Sequence, residues 1–410
     1  MSKVSSVLLQ LSPFVQWNRN FRLLAVAVFS VGVFFGVQLT LFNNFIVDRF
    51  GIEPHHLGYL EAFREVPGLL SVLMIAMLLL LPLSIGGGGA LIIMGLGLAA
   101  YAKATTVLTL AIFAFVWSIG FHCWLPLEQA MALRFSPAGD KGRWLGQLRS
   151  VQSMAWLLAI GCCILMMRFL NYGGLFVMAG VVTVLGGLTL LFATREPAHD
   201  GEKRLVFRRR YALYYALNFL QGCRKQMFIT FAIFALVKVH GIPVQTTMFL
   251  VLINQTLIIL TGPTMGRLVD RYGERATLSV SYAGLVLVFL GYALVQHRPT
   301  LYLLYCIDNL IFFGSIALTT YIHRISPGQD LEPTLSMGVT MNHVAAVAAP
   351  LAGGLAWHFF GYQIIFFSGA ILAFISLIVS QWISPRGLPA AANDSTALLA
   401  TSTSERPGSD

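Results

Sequence analysis

Residues 194–210 read Thr-Arg-Glu-Pro-Ala-His-Asp-Gly-Glu-Lys-Arg-Leu-Val-Phe-Arg-Arg-Arg. This is the longest polar stretch inside the chain, and it ends in three consecutive arginines. On each side of it the sequence turns apolar in runs of about 20 residues, the length a helix needs to cross the hydrocarbon core of a bilayer. Six such runs precede it, near 23–45, 57–80, 88–104, 106–129, 146–168 and 173–193. Six follow, near 211–237, 244–265, 277–296, 299–322, 334–357 and 362–384. The expected fold is therefore an all-α membrane protein of twelve transmembrane helices in two six-helix halves, residues 23–193 and 211–384. Residues 194–210 join the halves, 1–22 precede the first span, and 385–410, rich in Ala, Ser, Thr and Pro, read as a disordered tail.

Composition supports this division. Of 410 residues, 57% are apolar and only 11% charged, against roughly 25% charged in soluble domains. So little charge cannot cover a soluble body, which excludes an ordinary cytosolic enzyme and a nucleic-acid-binding domain. The formal charge of +10 comes from 27 Lys and Arg against 17 Asp and Glu, and its placement explains it. With the N-terminus in the cytoplasm, 18 of the basic residues fall in cytoplasmic segments, five on the opposite side, and four (Arg64, Arg149, Arg224, Lys225) inside spans. The positive-inside rule then puts both termini in the cytoplasm. The N-terminal segment lacks the small-residue cleavage pattern of a secretory signal. The five cysteines show neither metal-ligand spacing nor a disulfide framework, and read as small buried hydrophobes.

An internal offset of 192 relates Gly146 and Gly161 to Gly338 and Gly353, as a duplicated half would. Between the eighth and ninth spans lies Gly266-Arg267-Leu268-Val269-Asp270-Arg271-Tyr272-Gly273-Glu274-Arg275. This segment resembles the G-x-L-x-D-R-x-G-R-R signature of the major facilitator superfamily, at the place where that family repeats it. The resemblance covers about residues 20–385. It implies that spans 1, 4, 7 and 10 line a central cavity, that 3, 6, 9 and 12 face lipid, and that Gly266, Asp270, Arg271, Gly273 and Arg275 hold the cytoplasmic helix ends in one conformation. The matching loop of the first half, Leu81 to Ala90, has neither Asp nor Arg. Its run Gly86–Gly89 reads as a flexible turn.

Charges inside a bilayer are costly and normally face a cavity or a partner, so the embedded ones form the shortlist for mechanism. Span 2 carries Glu61, Arg64 and Glu65 toward its outer end, with an i,i+3 spacing that allows an ion pair. Span 7 carries Asn218, Gln221, Arg224 and Lys225. One of the two cations can pair with Asp308 of span 10, the only embedded carboxylate of the second half, leaving the other for an anionic group. Asn254 in span 8, Asn342 and His343 in span 11, Gln38 in span 1 and Trp117 in span 4 complete the set, and His122 reads as a packed histidine. The expected substrate ligands are Arg224, Lys225, Gln221, Asn218, Asn254, Asn342, Gln38 and Trp117. Proton coupling or gating falls to Asp308, Glu61, Arg64, Glu65 and His343.

There is no nucleotide-binding G-x-x-x-x-G-K-[ST] loop, H-E-x-x-H motif or nucleophile elbow. The sequence therefore predicts no enzyme, no metal and no cofactor. It predicts a monomeric secondary transporter of a bacterial inner membrane, whose partners are the lipid bilayer and a small polar or anionic solute, moved by alternating access with proton coupling. Efflux of amphipathic compounds, suggested by Phe and Trp in spans 1 and 4, is the second reading. A non-transporting scaffold or sensor of the same fold is the third.

Overall fold

A computed structural model describes residues 17–70, 74, 81–137, 140–195, 207–311, 314–326 and 328–384. The first 16 residues, most of the interhalf linker, the C-terminal tail and residues 71–73 and 75–80 of the second span lie outside the described residues. What is described is helical, with no strand.

The helices in chain order are α1 (Arg19–Phe50), α2 (Pro54–Leu69), α3 (Leu83–Ala100), α4 (Val107–Phe135), α5 (Lys141–Met166), α6 (Tyr172–Leu190) and α7 (Ala212–Lys238). Then comes one run, Val244–Leu294, broken at Gly273 into α8 before it and α9 after it. α10 (Arg298–Ile325), α11 (Gly328–Phe360) and α12 (Gln363–Ser380) follow. Ten of the described helices are long and apolar enough to cross a membrane.

The boundaries are set by local chemistry. Asn18 caps α1 by accepting from the Phe21 amide, and Gly51 ends it with φ 56°, a left-handed conformation that L side chains avoid. Thr106 and Thr109 form a reciprocal capping box at the start of α4. Asn171 caps α6 through the Gly174 amide. Gly273 separates α8 from α9 with φ 79°.

Short loops force neighbouring helices to run antiparallel, so Asn18 and Ser384 share one end of the bundle (the near end), while Gly51, Lys238 and Phe360 lie at the other (the far end). Without water between helices in lipid, close packing of small residues replaces the hydrophobic drive. In the first half, Gly32 and Gly36 of α1 sit on α5, where a Cβ would come within 2.6 Å of Ala155 and 2.7 Å of Ala159.

The glycines Gly86–Gly89, expected as a flexible turn, instead lie in the opening turns of α3, which starts at Leu83 and not near 88. Gly88 packs on α6 so closely that a Cβ would lie 2.6 Å from Leu191 and 2.8 Å from the Gly187 carbonyl. The run serves close approach of backbones, a use the sequence does not distinguish from a turn. The repeated glycine pairs also part company. Gly146 and Gly161 face open space, whereas Gly338 abuts Tyr214 and Gly353 abuts Phe231. α4 and α5 differ from expectation as well, running to Phe135 and starting at Lys141.

At the far end the halves meet. A Cβ on Gly58 of α2 would collide with the Pro350 carbonyl of α11, and one on Gly354 would lie 2.6 Å from the Pro54 carbonyl. Lys238 bonds to the Gly51 carbonyl and to Glu53, and Asn44 donates to the Ile242 carbonyl. The largest apolar core runs through both halves, with Phe45 and Ile52 on one side and Phe234 and Trp357 on the other. A second core, around Tyr211, Tyr282 and Tyr321, belongs to the second half alone.

Candidate functional site: two buried charge clusters

Each half holds its own cluster. In the first, Arg64 binds Glu61 at 2.6 Å one turn away and Glu65 at 2.7 Å next to it. Its guanidinium also lies 5.3 Å from the centre of the Trp117 ring. Trp117 is fully buried and donates to the Tyr101 hydroxyl at 2.7 Å, so it backs the cluster and links α4 to the end of α3.

α2 begins at Pro54, so Glu61, Arg64 and Glu65 stand about 10 to 16 Å along its axis at 1.5 Å per residue.

In the second half Arg224 of α7 and Asp308 of α10 pair at 3.2 Å. The guanidinium is 1% exposed, and its carbon lies 5.9 Å from the centre of the Phe289 ring. The pairing expected from the lone embedded carboxylate is thus present. The neighbouring Lys225 lies in the electrostatic field of Glu65 from the opposite half.

The first cluster reaches the second half through His343 of α11, whose Nδ1 lies 3.7 Å from Glu65 Oε2. His122 of α4 approaches the same oxygen with Nε2 at 3.8 Å. His122 Nδ1 is directed at the Ser118 carbonyl, 2.9 Å away, and also lies 3.1 Å from the Ser118 hydroxyl. From the sequence alone His122 reads as a packed histidine. Residues 65, 122 and 343 are far apart in the chain, and only the fold gathers them.

The amides expected as substrate ligands divide. Asn218 and Asn342 donate to carbonyls four residues back on their own helices, Tyr214 at 2.8 Å and Gly338 at 3.2 Å. Gln221 accepts from the Tyr282 hydroxyl at 3.3 Å. Gln38 and Asn254 are buried, Asn254 beside Tyr305.

The signature-like segment at the near end forms a separate structure. Gly273 makes the break between α8 and α9, and Arg275 donates to Gln381 of α12 at 3.2 Å. Arg271 lies over the Tyr272 ring, 5.4 Å from its centre. The buried Glu274, which stands where the signature has Arg, faces Arg324 at 3.5 Å. Asp270 is exposed, and Gly266 lies within the helical run of α8. A surface cavity of about 420 Å³ is lined by Arg271, Arg275, Gln381 and their neighbours.

A family model, the Major Facilitator Superfamily, matches residues 24–318 and 214–401. The chain belongs to the Major Facilitator Superfamily. Among solved structures it is similar to the nucleoside transporter NupG, with a TM-score of 0.75 and 14% identity over 89% of this chain and 100% of that one. It is also similar to a bacterial homologue of the human lysosomal transporter Spinster, in an inward-facing and occupied conformation. There the TM-score is 0.70, with 14% identity over 88% of this chain and 96% of that one. No curated protein sequence matches. Identities this low establish the shared fold. Family and fold together make this superfamily member a multi-pass integral membrane transporter and not an enzyme.

Proposed function

We propose that this chain moves a small polar or anionic solute by alternating access of its two halves, with proton coupling. The observation that carries the reading is the arrangement of buried charges. Arg224 and Lys225 are adjacent on α7, and Glu65 of the first half acts electrostatically on Lys225 and lies 3.7 Å from His343 of the second. Groups so placed exchange partners when the halves rock, and a carboxylate that changes neighbours changes its proton affinity. Asp308 on Arg224 supplies the second carboxylate for such exchange, and Gln221, Asn254 and Gln38 are buried amides able to bind a polar solute. Nucleosides, the solute named for the similar NupG, belong first in a substrate panel, since they are small, polar and carry an aromatic base.

The test is uptake into proteoliposomes under an imposed proton gradient, for the wild type, Arg224→Ala and Lys225→Ala. Uptake is expected to depend on the gradient and to fall at least tenfold in both variants. Unchanged uptake of the transported solute in both would overturn the role of α7. Uptake indifferent to the gradient would overturn proton coupling.

A further inference from the structure

We infer that Glu65, His122 and His343 form a site for a divalent transition-metal ion of the Zn²⁺ type, and that the bound ion pins the two halves together. Each residue offers one ligand atom, and the three atoms lie within 4.8 Å of one another. Two come from the first half, on α2 and α4, and one from α11 of the second.

Two imidazole nitrogens and one carboxylate oxygen match the donor set of three-ligand zinc sites, which keep a fourth position for water or another ligand. At zinc bond lengths of about 2.0–2.1 Å, tetrahedral ligand atoms stand about 3.4 Å apart. Glu65 Oε2 is 3.8 Å from His122 Nε2 and 3.7 Å from His343 Nδ1, so these gaps close by only about 0.3 to 0.4 Å.

The surroundings prepare the ligands. A carbonyl can only accept, so the contact with the Ser118 carbonyl puts the proton of His122 on Nδ1 and turns the Nε2 lone pair toward Glu65. Fixing of the second ring nitrogen by a backbone carbonyl is the usual support of a metal-bound histidine. Glu65 gives Oε1 to Arg64 and keeps Oε2 for the imidazoles. Gly68 makes the room: a Cβ there would collide with His343 Nδ1 and lie 2.7 Å from His122 Nε2. Charge is compatible as well. Glu61, Arg64 and Glu65 together carry one net negative charge, and Lys225, within reach of Glu65, opposes the ion without reversing the pairing of Arg64 with its two carboxylates.

An ion bound to α2, α4 and α11 reinforces the seam that Gly58 and Gly354 already close at the far end. It therefore favours the far-closed state and opposes the rocking that transport requires.

The experiment titrates the purified full-length protein in detergent with Co²⁺ and then Zn²⁺. One equivalent of Co²⁺ is expected to give the strong visible absorption of a four-coordinate ion, displaced by one equivalent of Zn²⁺. His122→Ala and His343→Ala are each expected to raise the Kd at least tenfold. Gly68→Ala keeps all three ligands and is expected to do the same by occupying the space between the rings, so the test survives if a histidine variant fails to fold. Hydrogen exchange of amides around Gly58 and Gly354 is expected to slow when Zn²⁺ is bound. Absence of saturable one-equivalent binding, or an unchanged Kd in folded variants, overturns the site. Exchange unaltered by bound Zn²⁺ overturns the pinning.

Discussion

Asp308→Asn removes the counter-charge of a guanidinium that is 1% exposed and 3.2 Å from the lost carboxylate. The positive charge then stays buried without that carboxylate. Breaking a buried ion pair from one side costs about 3–5 kcal/mol, most of it the burial of the stranded charge. Arg224→Met from the other side strands a carboxylate and costs a similar amount. Removing both charges together in Arg224→Met/Asp308→Asn leaves no stranded ion, and such replacements are often neutral. The double variant should therefore lie well above the sum of the singles, with a coupling energy of at least about 3 kcal/mol. The assay is equilibrium unfolding in mixed micelles of the four proteins, followed by tryptophan fluorescence. Transport of the same four separates the roles: a double variant that is stable but inactive marks the pair as part of the transport site. Single variants as stable as wild type, or strictly additive losses, would refute the reasoning.

Three further outcomes follow from the geometry. Gly58→Leu inserts a side chain where even a Cβ meets the Pro350 carbonyl; overpacking of this kind costs about 1–3 kcal/mol and should raise labelling of cysteines introduced at the far end, and unchanged labelling would count against a sealed seam. At the far end His55 sits 4.0 Å from His56 and 4.4 Å from His358, ring centre to ring centre. Burial, then the like charges of these neighbours, holds its pKa below 6.5, with Glu53 opposing. Opening relieves that penalty, so the closed seam is at full strength above pH 6.5 and weakens as pH falls below it. Far-end labelling should rise at acid pH and do so less in His358→Ala. Finally, Asp330→Ala deprives Arg208, Arg210 and the Tyr211 hydroxyl of a shared, buried acceptor. Trypsin should then cut faster at the arginines before α7, and an unchanged cleavage rate would show that these contacts do not hold the segment.

What could be read from the sequence was what charge alone decides. Arg224 and Asp308 were pairable on paper because Asp308 is the only embedded carboxylate in its half and a deep arginine needs one. Glu61 and Arg64 were legible through i,i+3 spacing. The start of the helix that carries them was not, because α2 begins at Pro54, ahead of its apolar run. Gly86–Gly89 were misread because a glycine run permits both a turn and close helix contact, and only the presence of Leu191 and Gly187 opposite decides between them. His122 was passed over for a related reason. A lone histidine among Phe121, Cys123 and Trp124 has the look of packing until Glu65 and His343 arrive from two other helices.

The join between the halves is fastened at both ends. Thr194 is bonded to Asn20 of α1 and, through its carbonyl, to Ser84 of α3, while Arg208 and Arg210 hold Asp330 of α11. Fourteen residue steps separate Thr194 from Arg208, a contour of about 50 Å when fully drawn out. Each half therefore carries its own mooring point, and a stretch of that contour lets the two moorings stand tens of ångströms apart before it is drawn taut. Lengthening it should leave transport unaltered, whereas cutting it to a handful of residues would turn a tether into a brake.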